Sequence, residues 1–414
     1  MRLEQAPNQA RVIVVQQGAR HNYAMPAAFA DRGMLEALYT DLCHGRGLGR
    51  LTGLAAHLPG APRSAARLAN RRPPANVLDR TRTFDAVGLK LHRSMAVRDE
   101  ATTRRREDLI RRAGDQMRRV GLGRATHVLS MFGEGRSFLE HAQRSGLKVV
   151  CDVNVALSSE RIVREEQQRF PDWEEPIFYW GETLRTADGA FDPTGPMLRY
   201  SDRLLCPSEF VRDDLIENFG VAADRTWLLP YSVDPRWLEL ETRPEPGRIL
   251  FVGTAELRKG VHYLAAAATL LRGRSSTYQI RVAGGVTERI RGQPAARDLT
   301  FLGRVPRAQV AEEFAKADVL ALPSLAEGSA GVTYEALGAG IPVVTTKASG
   351  SVVRDGVEGF VVPERDPEAL AGAIARIVSD RALRMRMSQA ARERAREFVW
   401  DRFSERLVEA VVTA

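Results

Sequence analysis

The sequence predicts an α/β protein of two doubly wound domains. Three observations predict it. Short apolar runs alternate with amphipathic helical stretches, the pattern of buried parallel strands joined by helices. That alternation occurs in two blocks, separated by a linker at 239–247 rich in Glu and Pro. The length, 414 residues, suits two or more domains with sizeable cores.

In chain order, residues 11–16 form the first strand, 17–22 a loop, and 23–32 a helix that Gly33 ends. Residues 35–41 are the second strand. Gly18 sits at the strand-to-helix turn, where backbone can come close to a phosphate. In the same loop, His21 is either a ligand contact or a helix cap. The stretch 45–74 is rich in Arg, Pro and Gly, with Leu48, Leu51, Leu54 and Leu58 near helical spacing. Two or more helices are expected over 83–119, with Leu109, Ile110, Ala113 and Met117 on one face. Residues 126–131, a glycine-bearing turn, 137–144 and 148–153 repeat strand, turn, helix and strand. A charged helix follows at 158–168. Glu165 and Glu166, with Trp173, Phe178, Tyr179 and Trp180, form either a ligand-pocket wall or ordinary core. The first block closes with a strand at 203–207, a helix at 208–218 capped by Ser208, and a strand at 227–231.

The second block has strands at 249–252, 280–283 and 299–302. Between the first two lie a loop at 253–260 and a helix at 261–271, and a helix at 307–317 follows the third. The stretch 321–350 is the most informative. A strand at 318–323 leads into a loop of small and polar residues, then a helix at 332–337 closed by Gly338 and Gly340, then a strand at 341–346. Glu327 and Glu335 bracket this unit with seven residues between them. The loop of Gly328, Ser329, Ala330 and Gly331, with Val332 opening the helix, lets backbone amides approach an anion. The helix dipole adds roughly 0.3–1 kcal/mol of attraction. One face thus offers amides for a phosphate and carboxylates for hydroxyls. Helices at 366–378, 381–396 and 400–412 complete the chain.

Composition narrows the function classes. Apolar residues make up 44% and charged residues 27%, which argues against a disordered or fibrous chain. Cys43, Cys151 and Cys206 are widely separated, so neither a disulfide framework nor a zinc site is indicated, and a reducing cytosol fits. No apolar run approaches the roughly 20 residues of a membrane span, and the start lacks the apolar core of a signal peptide. The net charge is +8, yet 45–124 holds 19 Arg and Lys against 7 Asp and Glu, so the remainder is slightly acidic. Such a region suits an anionic membrane surface or a phosphorylated partner. A single-stranded nucleic-acid platform would interleave aromatic residues among the basic ones, and that interleaving is missing here, so no nucleic acid is expected.

Glu327-Gly328, Glu335-Ala336, Gly338, Gly340 and Pro342, in that order, resemble the Glu-x7-Glu motif of family 4 glycosyltransferases. The resemblance extends over nearly the whole chain and is most specific over 250–363. It implies the GT-B arrangement, two doubly wound domains facing across a cleft: an N-terminal Rossmann-like acceptor-binding domain at 1–235, a C-terminal Rossmann-like nucleotide-sugar-binding domain at 236–398, and a helix at 399–414 crossing back to pack on the first. The loop from Gly253 to Gly260 resembles the family's Gly-Arg-Leu-x-x-x-Lys-Gly, whose Arg and Lys clamp a diphosphate. Lys259 stands at the Lys, Thr254 where Arg is common, and Arg258 offers the second charge. Pro230 to Asp234 resembles Pro-x-Gly-Val-Asp, with Ser232 in place of the glycine. Residues 146–154 resemble a pattern that ends in a histidine facing the donor sugar. Asn154 stands there, so Asn154, Asp152 or His21 is left to make that contact.

The resemblance implies a retaining hexosyltransferase that moves a sugar from a nucleoside-diphosphate sugar to a hydroxyl of a saccharide or lipid-linked acceptor, in bacterial surface polysaccharide or glycolipid synthesis. No cofactor and no essential metal are expected. The residues it implies in catalysis are Lys259, Glu327, Arg258 and Asn154. The donor would be bound by Gly18, Thr254, Val305 (backbone, at the base), Ser329, Ala330, Gly331, Val332 and Glu335 (at the ribose). His21 and Asp152 would lie on the acceptor side. With the basic 45–124 region on an anionic membrane, the chain would be cytoplasmic and peripheral at the inner face of the plasma membrane. Two other classes remain. A non-catalytic nucleotide-sugar binder or scaffold fits the departures at Asn154 and Thr254. A nicotinamide-dependent oxidoreductase needs Gly-x-Gly-x-x-Gly after a strand, which Gly18 alone does not supply.

Overall fold

In a computed structural model the described residues are 10–51, 71–94, 100–175, 195–275 and 277–414. Among them, the strands form two parallel sheets. The first contains β1 (Val12–Val15), β2 (Leu35–Thr40), β3 (Thr81–Thr83), β4 (His127–Met131), β5 (Lys148–Asp152), β6 (Arg203–Cys206) and β7 (Thr226–Leu228), in the spatial order 3-2-1-4-5-6-7. The second contains β8 (Arg248–Val252), β9 (Gln279–Ala283), β10 (Leu299–Gly303), β11 (Val319–Leu322), β12 (Val343–Thr345) and β13 (Gly359–Val361), in the order 10-9-8-11-12-13. The strand order of each sheet reverses once, between β1 and β4 and between β8 and β11. Crevices at such switch points, beyond the carboxyl ends of the strands, are where ligands bind in open α/β sheets.

Burial explains the strands. Val12 to Val15 and Val319 to Leu322 are wholly buried on both faces, as expected of strands covered by helices on each side. The helices Ser137–Arg144 and Trp400–Val412 begin and end where the sequence places them. Helix Trp400–Val412 does cross back. Its Phe403, Leu407, Ala410 and Val411 pack with Val12, Val14 and Phe29 in a first-lobe core. Arg32 donates to the Ser404 hydroxyl at 2.8 Å, and Arg203 to the Ala410 carbonyl at 2.8 Å. On Glu100–Val120, Ile110, Ala113 and Met117 are buried, as their spacing predicts.

Three features depart from expectation. β3 was not anticipated, because Thr-Arg-Thr carries no apolar run; it is an edge strand held by pairing Leu38 with Thr81. The first helix is shorter than 23–32, running Ala24–Ala30 behind a left-handed turn at Arg20–Tyr23. Trp173 is core, but of the second lobe, buried with Phe251, Leu257 and Leu264. The basic stretch is described only at 45–51, 71–94 and 100–124, so Leu54 and Leu58 lie outside the described residues, as do Phe178, Tyr179 and Trp180. All three cysteines are free and buried.

Candidate active site

The loops that follow β8 and β11 meet at the switch point of the second sheet. After β8, a single 3-10 turn at Leu257–Lys259 ends in Gly260, with φ +70°. A Cβ at Gly260 would stand 2.0 Å from the Pro323 carbonyl oxygen, so only glycine lets the two loops touch. The turn carries Arg258 and Lys259 to Glu327. Lys259 Nζ donates to Glu327 Oε1, and Arg258 Nη1 lies 2.7 Å from Oε2. Arg258 is further held by Glu256 at 2.6 Å and by the Ala326 carbonyl at 2.9 Å. Glu327 is buried, which by itself would raise its pKa; the charges of Lys259 and Arg258 reverse that and hold the carboxyl below its usual range. An ammonium has three donors, so Lys259 can hold Glu327 and still meet an anion.

Helix Gly331–Gly338 opens beside this trio. The amides of Gly331 and Val332 have no backbone partner among the described residues, as expected of a helix start. Ser329 and Ala330 differ from them. The Ala330 amide donates to the Ser349 carbonyl at 3.0 Å, and the Ser329 hydroxyl to the Gly350 carbonyl at 2.7 Å. Both therefore brace the loop, while Gly331 and Val332 keep the open donors. Glu335, one turn on, is half-buried in a separate group. Burial pushes its carboxyl up to about 7, and Asp234 adds to this, against the pull of Arg307, Trp237 and Arg236. The two motif glutamates thus flank the helix start without meeting. Thr254 is exposed, and Val305 packs at the edge of the second-lobe core.

A second group forms at the switch point of the first sheet. Among the described residues, six non-glycine positions have positive φ; His21, Asn22 and Tyr23 after β1, with Phe132 and Arg136 after β4, are five of them. Such backbone costs of order 1–3 kcal/mol per residue and gathers at functional sites. Here it presents Glu134, which is buried. Its Oε2 accepts the Gln17 N–H at 2.5 Å, and its Oε1 is 3.4 Å from Arg20. Burial lifts Glu134 to about 8 despite Arg20, and lifts Asp152 to about 7. Asp152 Oδ2 has no hydrogen-bond partner among the described residues, although the residue is only 3% exposed. Gly18 makes the expected turn, with φ +69°, but its N–H donates to Asp41 at 2.8 Å and is not open to a phosphate. The His21 ring lies 5.0 Å from that of Tyr231.

Tyr231 marks where the two groups face. Burial raises its hydroxyl well above the usual range, and Asp152 from one lobe and Tyr334 and Glu327 from the other raise it further. The lobes also touch. A Cβ at Gly328 would lie 1.8 Å from the Asn154 carbonyl oxygen, and Ser208 Oγ donates to the Gly328 carbonyl at 2.5 Å. Asn154 therefore reaches the Glu327 loop, through its backbone. Sequence reasoning missed Arg20, Glu134 and Tyr231. The signal for Glu134 was available: an acid between Gly133 and Gly135, just past a strand end.

Residues 239–394 match the family model described as glycosyl transferases group 1. That match covers the second lobe, which is thus similar to group 1 glycosyl transferases. Among curated relatives of the chain is a glycogen synthase of Mycobacterium tuberculosis, 31% identical over 216 residues that cover 49% of this chain and 52% of the relative. Another is a D-inositol 3-phosphate glycosyltransferase of Xylanimonas cellulosilytica, 29% identical over 249 residues covering 52% and 57%. The matches thus span about half the length of these relatives. The whole chain shares its fold with a sucrose-phosphate synthase of Thermosynechococcus elongatus (TM-score 0.64, 15% identity, 97% of this chain and 98% of that one). HepE of Anabaena, solved with UDP and glucose, gives a TM-score of 0.59 at 15% identity over 97% and 98%. The fold is therefore GT-B. Lys259, Arg258, Glu327 and the open helix start all lie within the matched residues.

Proposed function

We propose that this protein transfers a sugar from a nucleoside-diphosphate sugar to an acceptor hydroxyl with retention of anomeric configuration. The observation that carries this reading is the meeting of Lys259, Arg258 and Glu327 beside the open amides of Gly331 and Val332. Two cations and a helix start suit the negative charge that grows on a departing diphosphate, and charge-assisted hydrogen bonds there contribute roughly 1.5–3 kcal/mol each. Glu327 orients sugar hydroxyls, and Glu335 takes the ribose. The acceptor hydroxyl attacks the anomeric carbon from the face the diphosphate leaves, and its proton passes to the leaving phosphate oxygen. Positioning and electrostatics carry the catalysis, and no step needs a metal.

The acceptor lies against the first-lobe group. His21, Asp152 and Glu134 offer it hydrogen-bond partners, and Asn154 sits where acceptor and donor meet. A saccharide or lipid-linked acceptor of a bacterial surface polymer, reached from the inner face of the plasma membrane through the basic 45–124 region, completes the reading. No helix among the described residues is long and apolar enough to cross a membrane.

The test is transfer or donor hydrolysis across a panel of nucleoside-diphosphate sugars, for the parent, Lys259→Ala and Glu327→Ala. Turnover by the parent alone is expected, unchanged by EDTA. Equal turnover in all three contradicts the site. Donor binding without any turnover favours the non-catalytic alternative.

A further inference from the structure

The first lobe sends an arm onto the second. It consists of helix Ser159–Arg169 and the segment 170–175. Glu166, fully buried, accepts from Tyr263 Oη at 2.9 Å and Arg365 Nε at 2.7 Å, with His262 Nε2 at 3.1 Å. Trp173 enters the second-lobe core, and Gln293 donates to the Asp172 carbonyl at 2.7 Å. The arm is therefore anchored before Glu174 by these contacts and after it by the Arg289–Glu175 ion pair at 2.6 Å, none of which uses the Glu174 side chain.

Glu174 itself is only 7% exposed, and its Oε1 accepts the Leu257 N–H at 2.6 Å. Leu257 opens the 3-10 turn that carries Arg258 and Lys259. The residue placed to cap that turn, Glu256, makes no cap hydrogen bond, because its carboxylate pairs with Arg258. The cap instead comes from 83 residues upstream. Without it, a buried N–H would have no partner, at the start of the turn that sets the direction of both cations.

We propose that Glu174 is a positioning residue: it caps the Leu257–Lys259 turn from the other lobe and so holds Arg258 and Lys259 in the arrangement that receives the donor's diphosphate. This rests on the donor site proposed above. It also makes the donor site incomplete within the second lobe alone.

The test uses the full chain, with UDP, GDP and ADP as probes. Glu174→Ala, and Glu174→Leu as a second loss variant that keeps the volume, are compared with Glu174→Gln, whose amide oxygen still accepts from Leu257. Amide hydrogen exchange is followed over 256–260, and diphosphate affinity by calorimetry. The loss variants are expected to exchange faster there and to bind the tightest diphosphate about tenfold more weakly. Glu174→Gln should stay near the parent in both. Unchanged exchange in the folded loss variants overturns the proposal, as does faster exchange with unchanged affinity. If the parent binds none of the three diphosphates, the donor-site reading fails, and exchange alone decides whether Glu174 holds the loop.

Discussion

At the residue scale, the pairing of Lys259 and Arg258 with Glu327 determines the local electrostatics. Lys259→Ala removes the charge expected to meet the diphosphate, so turnover should fall by about 10²–10³-fold in a transfer assay, the range for losing one such donor. Glu134 behaves in the opposite way to Glu327. Its pKa rises from 4.5 to about 8, chiefly through burial, so the folded state binds its proton more tightly than the unfolded chain does. The stability it contributes is full below about pH 4.5 and is lost as pH rises towards 8. The thermal midpoint should therefore fall over that interval, and Glu134→Gln should flatten the fall. A slope unaltered by Glu134→Gln would show that Glu134 does not titrate there. The pair Glu327 and Lys259 was legible in the sequence because motif spacing is local. Arg20 and Tyr231 were not, since their site exists only where strand ends far apart in the chain come together, and Glu134 left only the local sign of an acid between two glycines.

At the element scale, the loops at the strand ends carry the function and the glycines set how closely they approach. Gly328 lies against the Asn154 carbonyl, so Gly328→Ala must push the two loops apart. A loss of about 1–3 kcal/mol in denaturant unfolding is expected, the cost of forcing a group into filled space. Ser208 serves two elements: it accepts from Val211 N–H as the helix cap and donates to the Gly328 carbonyl. Strands and helices with apolar periodicity are legible to within about three residues at each end, as at 227–231 against Thr226–Leu228 and 261–271 against Val261–Arg274. β3 escaped because an edge strand of three polar and charged residues has no periodicity to read. The left-handed turn at 20–23 escaped for a related reason. His and Asn tolerate positive φ singly, but a run of three such residues ending in Tyr23 has no local pattern to read.

At the scale of the whole molecule, the lobes exchange elements in both directions. Helix Trp400–Val412 passes from the second lobe onto the first, and the arm at 159–175 passes the other way. Leu407 is fully buried in the first-lobe core, so Leu407→Ala should cost about 2–5 kcal/mol. The crossing helix was expected from resemblance, whereas the arm was given to a pocket wall or ordinary core. Nothing local says which core Trp173 joins, because an apolar side chain fits either, and only the partners of Glu166 decide.

A structure of the full chain with UDP bound, or with GDP or ADP if either binds more tightly, bears most directly on the donor site. Diphosphate oxygens are expected about 2.7–3.2 Å from Lys259 Nζ and from the amides of Gly331 and Val332. A diphosphate seated elsewhere, with the Lys259–Glu327 pair undisturbed and those amides facing solvent, would contradict it.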